Sequence, residues 1–356
     1  MGVMHWMRQA LLLLILAIAG AMSARAQSVQ GQGMSSEPFA VTLKRAQTGD
    51  AIAQYQVYRR YGLGDGVAKS PAEAGKWLKI SAQSGYAPAQ YALGNAYLLF
   101  KSPPTDADFV QAVKWWKAAA EQGHVDAMFW LGGAYMAGNG TEKDEKEALK
   151  WYLKGAEKGQ GAAQEMTGLC YYNGVGTEKN MTEAAKWLRA GAGKGISPDL
   201  AHITLGDMCY FGMGIEKNAN EAYLNYLAAA QRNDPYAEFA VARCLQEGNG
   251  TNKDVKEAAQ WLTRSAQQGE VVAAKYLGLA YHEGNGVTKD DAEYYKWMLV
   301  AATLDREAGG EHFVAPAEYM LSQQTMDDGA SRAREFLRDF KGHVPPHRKV
   351  TAEGKG

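Results

Sequence analysis

Apolar and small residues return along this chain with a helical period, and the helical stretches themselves return every 36 to 38 residues. In 124–159, Ala127, Leu131 and Tyr135 recur every fourth residue along one helix face, with Gly132 beside them. The loop Gly138-Asn139-Gly140-Thr141 follows, and Ala148, Trp151 and Ala156 then mark a second helix ending at Gly159. Two short amphipathic helices leave apolar faces uncovered, so such a hairpin needs copies stacked beside it.

The copies are present. Trp77, Trp115, Trp151, Trp187, Asn225, Trp261 and Trp297 are separated by 38, 36, 36, 38, 36 and 36 residues. Eight residues after the first six stand Gly85, Gly123, Gly159, Gly195, Asn233 and Gly269, the residue types that a left-handed helix-ending position takes. Seven residues before each member lies a helix-capping pair: Ser70/Glu73, Asp108/Gln111, Asp144/Glu147, Asn180/Glu183, Asn218/Glu221, Asp254/Glu257 and Asp290/Glu293. First helices share Leu93-Gly94, Leu131-Gly132, Leu205-Gly206 and Leu277-Gly278, a glycine that predicts a close approach of another chain segment. Six GxG loops at one fixed phase, from Gly64-Asp65-Gly66 to Gly284-Asn285-Gly286, read as turn chemistry and not as a phosphate cradle.

The flanks read differently. Arg8, the apolar run 10–21 and Ala24-Arg25-Ala26 have the layout of a signal peptide (1–26) cleaved after Ala26, which predicts a periplasmic or secreted protein. The alternative, an uncleaved anchor, asks for about 20 apolar residues, more than the run supplies. Residues 27–36 form a polar, disordered leader, 37–49 an N-terminal capping helix, 50–307 seven repeats, 308–344 C-terminal capping helices at 315–323 and 325–341, and 345–356 a disordered tail. A formal net charge of -1, with 22% charged residues, offers no basic surface for nucleic acid.

The pattern A-x-x-x-L-G-x-x-Y-x-x-G-x-G, then D/N-x-x-E-A-x-x-W and A-x-x-G, resembles the Sel-one-like repeat, a relative of the tetratricopeptide repeat. The resemblance covers about 37–307 and implies an all-α, right-handed α-solenoid of about seven helix-turn-helix repeats. Local departures are Tyr58 at the glycine place, Thr167 at the leucine place, Cys209 and Asn225 in unit five, and Ala242 and Leu245 in unit six, which makes units five and six the expected weak joint. The resemblance further implies a non-catalytic adaptor for protein partners in envelope assembly or host interaction. Some cysteine-rich relatives suggest the alternative of a weak β-lactamase or peptidoglycan hydrolase.

Candidate chemistry adds little to that alternative. The motifs S-x-x-K, K-T-G and G-x-S-x-G do not occur, so no catalytic residue is assigned. The seven histidines show no HExxH, and neither metal nor cofactor is expected. Cys170, Cys209 and Cys244 lack partners at disulfide spacing and read as small buried hydrophobes. What varies between repeats is the first-helix face opposite the Ala/Leu/Tyr stripe. It nominates a partner-binding groove of Tyr91, Phe129, Glu165, Tyr172, Asp207, Tyr210, Phe239 and Arg243. Replacing Phe129 and Phe239 by Ala would then weaken partner capture and spare stability. The other reading of these aromatics is packing between neighbouring first helices.

Overall fold

The computed structural model describes residues 37–99, 103–307 and 321–340. The signal peptide, the leader, most of the helix expected at 315–323 and the tail lie outside the described residues. The chain divides into two compact bodies, Met1–Lys179 and Asn180–Gly356. Both are all-α, and the described residues contain sixteen helices and no strand.

The first body holds α1 (Phe39–Gln47), α2 (Ala51–Leu63), α3 (Pro71–Gln83), α4 (Ala87–Leu99), α5 (Asp106–Glu121), α6 (Val125–Ala137), α7 (Glu145–Glu157) and α8 (Gly161–Asn173). The second holds α9 (Met181–Gly191), α10 (Pro198–Phe211), α11 (Ala219–Ala230), α12 (Pro235–Glu247), α13 (Val255–Gln267), α14 (Val271–Glu283), α15 (Asp291–Glu307) and α16 (Gln323–Asp339). Within each body consecutive helices pack on one another, the arrangement of an all-α solenoid of helix-turn-helix repeats. The division falls between α8 and α9, whereas the sequence departures of units five and six lie inside the second body.

The local signals act at the atoms expected of them. Ser70, Asp144, Asn180, Asn218, Asp254 and Asp290 each accept a backbone N–H of the first helical turn, satisfying a donor that the helix itself cannot. The second repeat differs. Its cap is Thr105, three residues before Asp108, and Asp108 closes a reciprocal capping box with it. That box lengthens α5 to 16 residues. Four other third-position carboxylates reach forward along the helix instead. Glu73, Glu147, Glu183 and Glu293 bind Lys76, Lys150, Lys186 and Lys296 one turn on. The last helix also starts earlier than its acidic residues suggest, at Gln323 behind a Ser322 cap.

Register along each body comes from the GxG loops. Gly140 has φ +71, and a β-carbon there would collide with the Phe109 carbonyl; Gly250 stands in the same relation to Ala219. Each loop thus rests on the start of the preceding repeat's second helix. A second device is a glutamine on the first helix. The Nε2 groups of Gln54, Gln90 and Gln164 donate to the carbonyls of Ala46, Ala82 and Ala156, closing the exposed end of the helix before.

The core follows the residue after the tryptophan column. Leu78, Trp116, Tyr152, Leu188, Tyr226, Leu262 and Met298 are all buried, while Trp77, Trp115, Trp187 and Trp261 are half-buried. The outer rings of Trp115, Trp151, Trp187, Trp261 and Trp297 carry a Lys or Arg ammonium or guanidinium over them, at 4.0 to 5.6 Å. The column is structural: Trp151 and Trp297 are buried, and the other four tryptophans stand at the edge of the core.

Candidate interaction surface

The residues nominated as a groove separate into an inner and an outer set. Phe129 is buried on α6, with its ring 5.9 Å from Tyr152 and 5.6 Å from Trp130. Glu165 is buried on α8. Asp207 is buried on α10 and accepts the hydroxyls of Tyr226 at 2.8 Å and Tyr236 at 2.9 Å. Phe239 is buried on α12 and meets Tyr276 of α14 edge-on at 5.3 Å, so it packs between neighbouring first helices. These four are withdrawn from any partner. Helical phase does set them on one face, but packing covers that face: the next first helix reaches Asp207 through Tyr236 and Phe239 through Tyr276, and Tyr152 of the second helix lies against Phe129.

Tyr91, Tyr172, Tyr210 and Arg243 stay half-buried. In the first body, Tyr91 stacks on His124 at 4.6 Å, and Tyr172 lies in the last turn of α8. His124 has a local duty as well, since it caps α6 by accepting the Ala127 N–H at Nδ1. Burial holds that imidazole below its ordinary pKa, which keeps Nδ1 free to accept.

In the second body, Tyr210 and Arg243 meet. The Arg243 guanidinium lies over the Tyr210 ring at 4.1 Å, with Phe211 at 5.6 Å and Phe239 at 5.8 Å. The Tyr210 hydroxyl donates to exposed Glu247 at 2.5 Å. Burial, and then this acidic partner, raise the Tyr210 pKa. Tyr276 and Leu279 continue the surface on α14, at 39% and 41% exposure. Neither is nominated by the sequence pattern. The available signal is a pair of large apolar residues three apart on a helix whose buried positions are already filled by Leu277 and Ala280.

Among the described residues no group of three His, Cys, Asp or Glu side chains gathers as metal ligands would. No described helix is long and apolar enough to cross a membrane. The three cysteines are buried and free, and burial pushes the Cys170 thiol up to about 12 and those of Cys209 and Cys244 to about 11.

Comparison with known proteins places these repeats. The Sel1 repeat matches residues 51–86, 87–124, 125–160, 161–196, 200–234, 235–270 and 271–305. The chain is similar to a solved Sel1 repeat protein from Oxalobacter formigenes, at 29% identity and TM-score 0.56, over 71% of this chain and 99% of that one. It is also similar to a protective antigen of uropathogenic Escherichia coli with an SLR fold, at 22% identity and TM-score 0.46, covering 95% and 87% of the two chains. No curated protein matches.

Proposed function

Because the chain belongs to the Sel1 repeat family, whose members are typically protein-interaction scaffolds, we propose that it is an exported, non-catalytic scaffold that holds a protein partner on its first-helix surface. One observation carries the reading: caps, glycines and core columns account for the buried residues, and the half-buried first-helix residues left over differ from repeat to repeat. Tyr91, Tyr172, Tyr210 and Arg243 are such residues. Aromatic and arginine side chains supply much of the energy of protein interfaces, because they bury large area at small entropic cost. The family resemblance, together with the signal sequence read at 1–26, supports a task in envelope assembly or host interaction. Affinity capture in the native host tests both parts. Tyr276→Ser, on the exposed part of that surface, should reduce recovery of the specific partner about tenfold, whereas Lys150→Ser on the second-helix surface should leave it unchanged. The recovered chain should begin at Gln27 by intact mass. Equal loss in both variants, or a chain retaining Met1 in the membrane fraction, would contradict the proposal.

A further inference from the structure

Arg243 is the member of the Tyr210 cluster with unused hydrogen-bonding capacity. Its Nε and Nη2 are out of solvent contact and make no hydrogen bond, and no carboxylate among the described residues forms an ion pair with the guanidinium. Aromatic faces partly compensate the charge, but rings do not replace the two N–H acceptors. The same edge is occupied elsewhere in the chain. Arg189 gives Nε to one Glu221 oxygen at 2.6 Å and Nη2 to the other at 3.1 Å, and Arg45 offers both atoms to Asp50. This is the side-on fork that fits a carboxylate.

We propose that Arg243 anchors an acidic side chain of an extended protein segment, which at the same time lays an apolar side chain on Tyr276 and Leu279. The inference rests on the scaffold reading and gives its partner a chemistry. Two observations set the pattern. Arg243 reaches Tyr276 through a single ring, with 5.8 Å from guanidinium to Phe239 and 5.3 Å from Phe239 to Tyr276. In an extended segment, side chains on one face recur every second residue, about 7 Å apart. Tyr276 thus lies no more than about 11 Å from the guanidinium, a gap that a long acidic and a long apolar side chain two positions apart can span by leaning away from each other. Access requires Tyr210 to turn off the guanidinium, and the bond that tethers its hydroxyl, to Glu247, is at the surface. Glu247 also disfavours segments with several acids in a row, so the fit is to one acid among neutral residues.

The test uses the full chain and four capped probes in solution, read by the Nε–H resonance of Arg243 and by the backbone amides of α10, α12 and α14. The probes are acetyl-Ser-Glu-Ser-Phe-Ser-amide, its Gln analogue, its Ser-for-Phe analogue, and the Gln analogue with a free C-terminal acid. The Glu probe should bind with a large shift of the Arg243 Nε–H. The Gln and the Ser-for-Phe analogues should each bind about tenfold more weakly, and Arg243→Gln should abolish the preference for Glu. The Glu-against-Gln comparison needs no variant, so it stands even if Arg243→Gln loosens the fold. Equal binding of Glu and Gln probes, or tightest binding of the free acid, overturns the inference while leaving a peptide-binding surface in place. Absence of any shift in α10, α12 and α14 overturns the inference together with the scaffold site.

Discussion

Tyr152 lays its ring against Gly132 so closely that a β-carbon at 132 would stand 2.7 Å from it. The same pairing joins Trp116 to Gly94 and Tyr226 to Gly206, where a β-carbon would stand 2.6 Å from the ring in both cases. Where the second helix carries Leu78 or Leu262, the first helix carries Tyr58 or Ala242 at that place. A ring at this place thus goes with a glycine, although glycine also stands opposite Leu188 (Gly168) and Met298 (Gly278).

Gly132→Ala should cost about 1–3 kcal/mol through overpacking, despite the roughly 1 kcal/mol that alanine gains as a helix former. Tyr152→Leu should also destabilise, by removing a buried ring. The double variant recreates the Ala242/Leu262 arrangement and should be less destabilised than the sum by on the order of 1 kcal/mol. Urea unfolding of the four proteins measures the coupling, and strict additivity would contradict the pairing.

Phe129→Ala and Phe239→Ala should each lose about 3–5 kcal/mol of stability, since both rings are buried. The surface reading of the sequence requires an unchanged melting point. A thermal melt separates the two.

Glu238 occupies the place held by Gln54, Gln90 and Gln164 in other repeats. It is buried, accepts Gln268 Nε2 at 2.7 Å, and burial pushes its carboxyl from 4.5 up to about 7. Between those two values the folded state holds a proton that the unfolded state has lost. Stability from this group is thus complete below pH 4.5 and falls as pH rises through 7. Glu238→Gln should flatten that slope and raise stability at pH 8 by about 1–3 kcal/mol, with the new amide able to donate to the Ala230 carbonyl. Denaturant unfolding of both proteins at pH 5 and pH 8 checks the sign.

All three thiols should titrate in denaturant without reductant, and none should react rapidly in the native protein at pH 8. Burial and the raised pKa values of Cys170, Cys209 and Cys244 give that result. A single thiol in denaturant would show a disulfide.

Much of the fold was legible because a repeat writes each local signal many times. Caps at Asp144 or Asp254 and left-handed glycines at Gly138 or Gly248 act within a few residues, so spacing alone locates them. Thr105 escaped because the longer second loop offered two capping residues three apart, and the reciprocal box decided between them. The groove was harder to read. Helical phase assigns Phe129, Glu165, Asp207 and Phe239 to one face, but not how far neighbouring helices overlap it. That overlap depends on paired side chains such as Phe239 and Tyr276, which are distant in sequence. Arg243 illustrates the same limit. Its residue type suggested a surface charge, and only the packing shows a guanidinium held among rings with an empty hydrogen-bonding edge.

The central claim is that partners are held on the first-helix surface of the second body. Site-specific photocrosslinking in the native host tests it directly. A photoreactive side chain at Tyr276 or Leu279 should capture one protein partner, and the same group at exposed Arg264 of α13, a second helix, should capture none. Capture of that partner at Arg264, with none at Tyr276 and Leu279, would contradict the account.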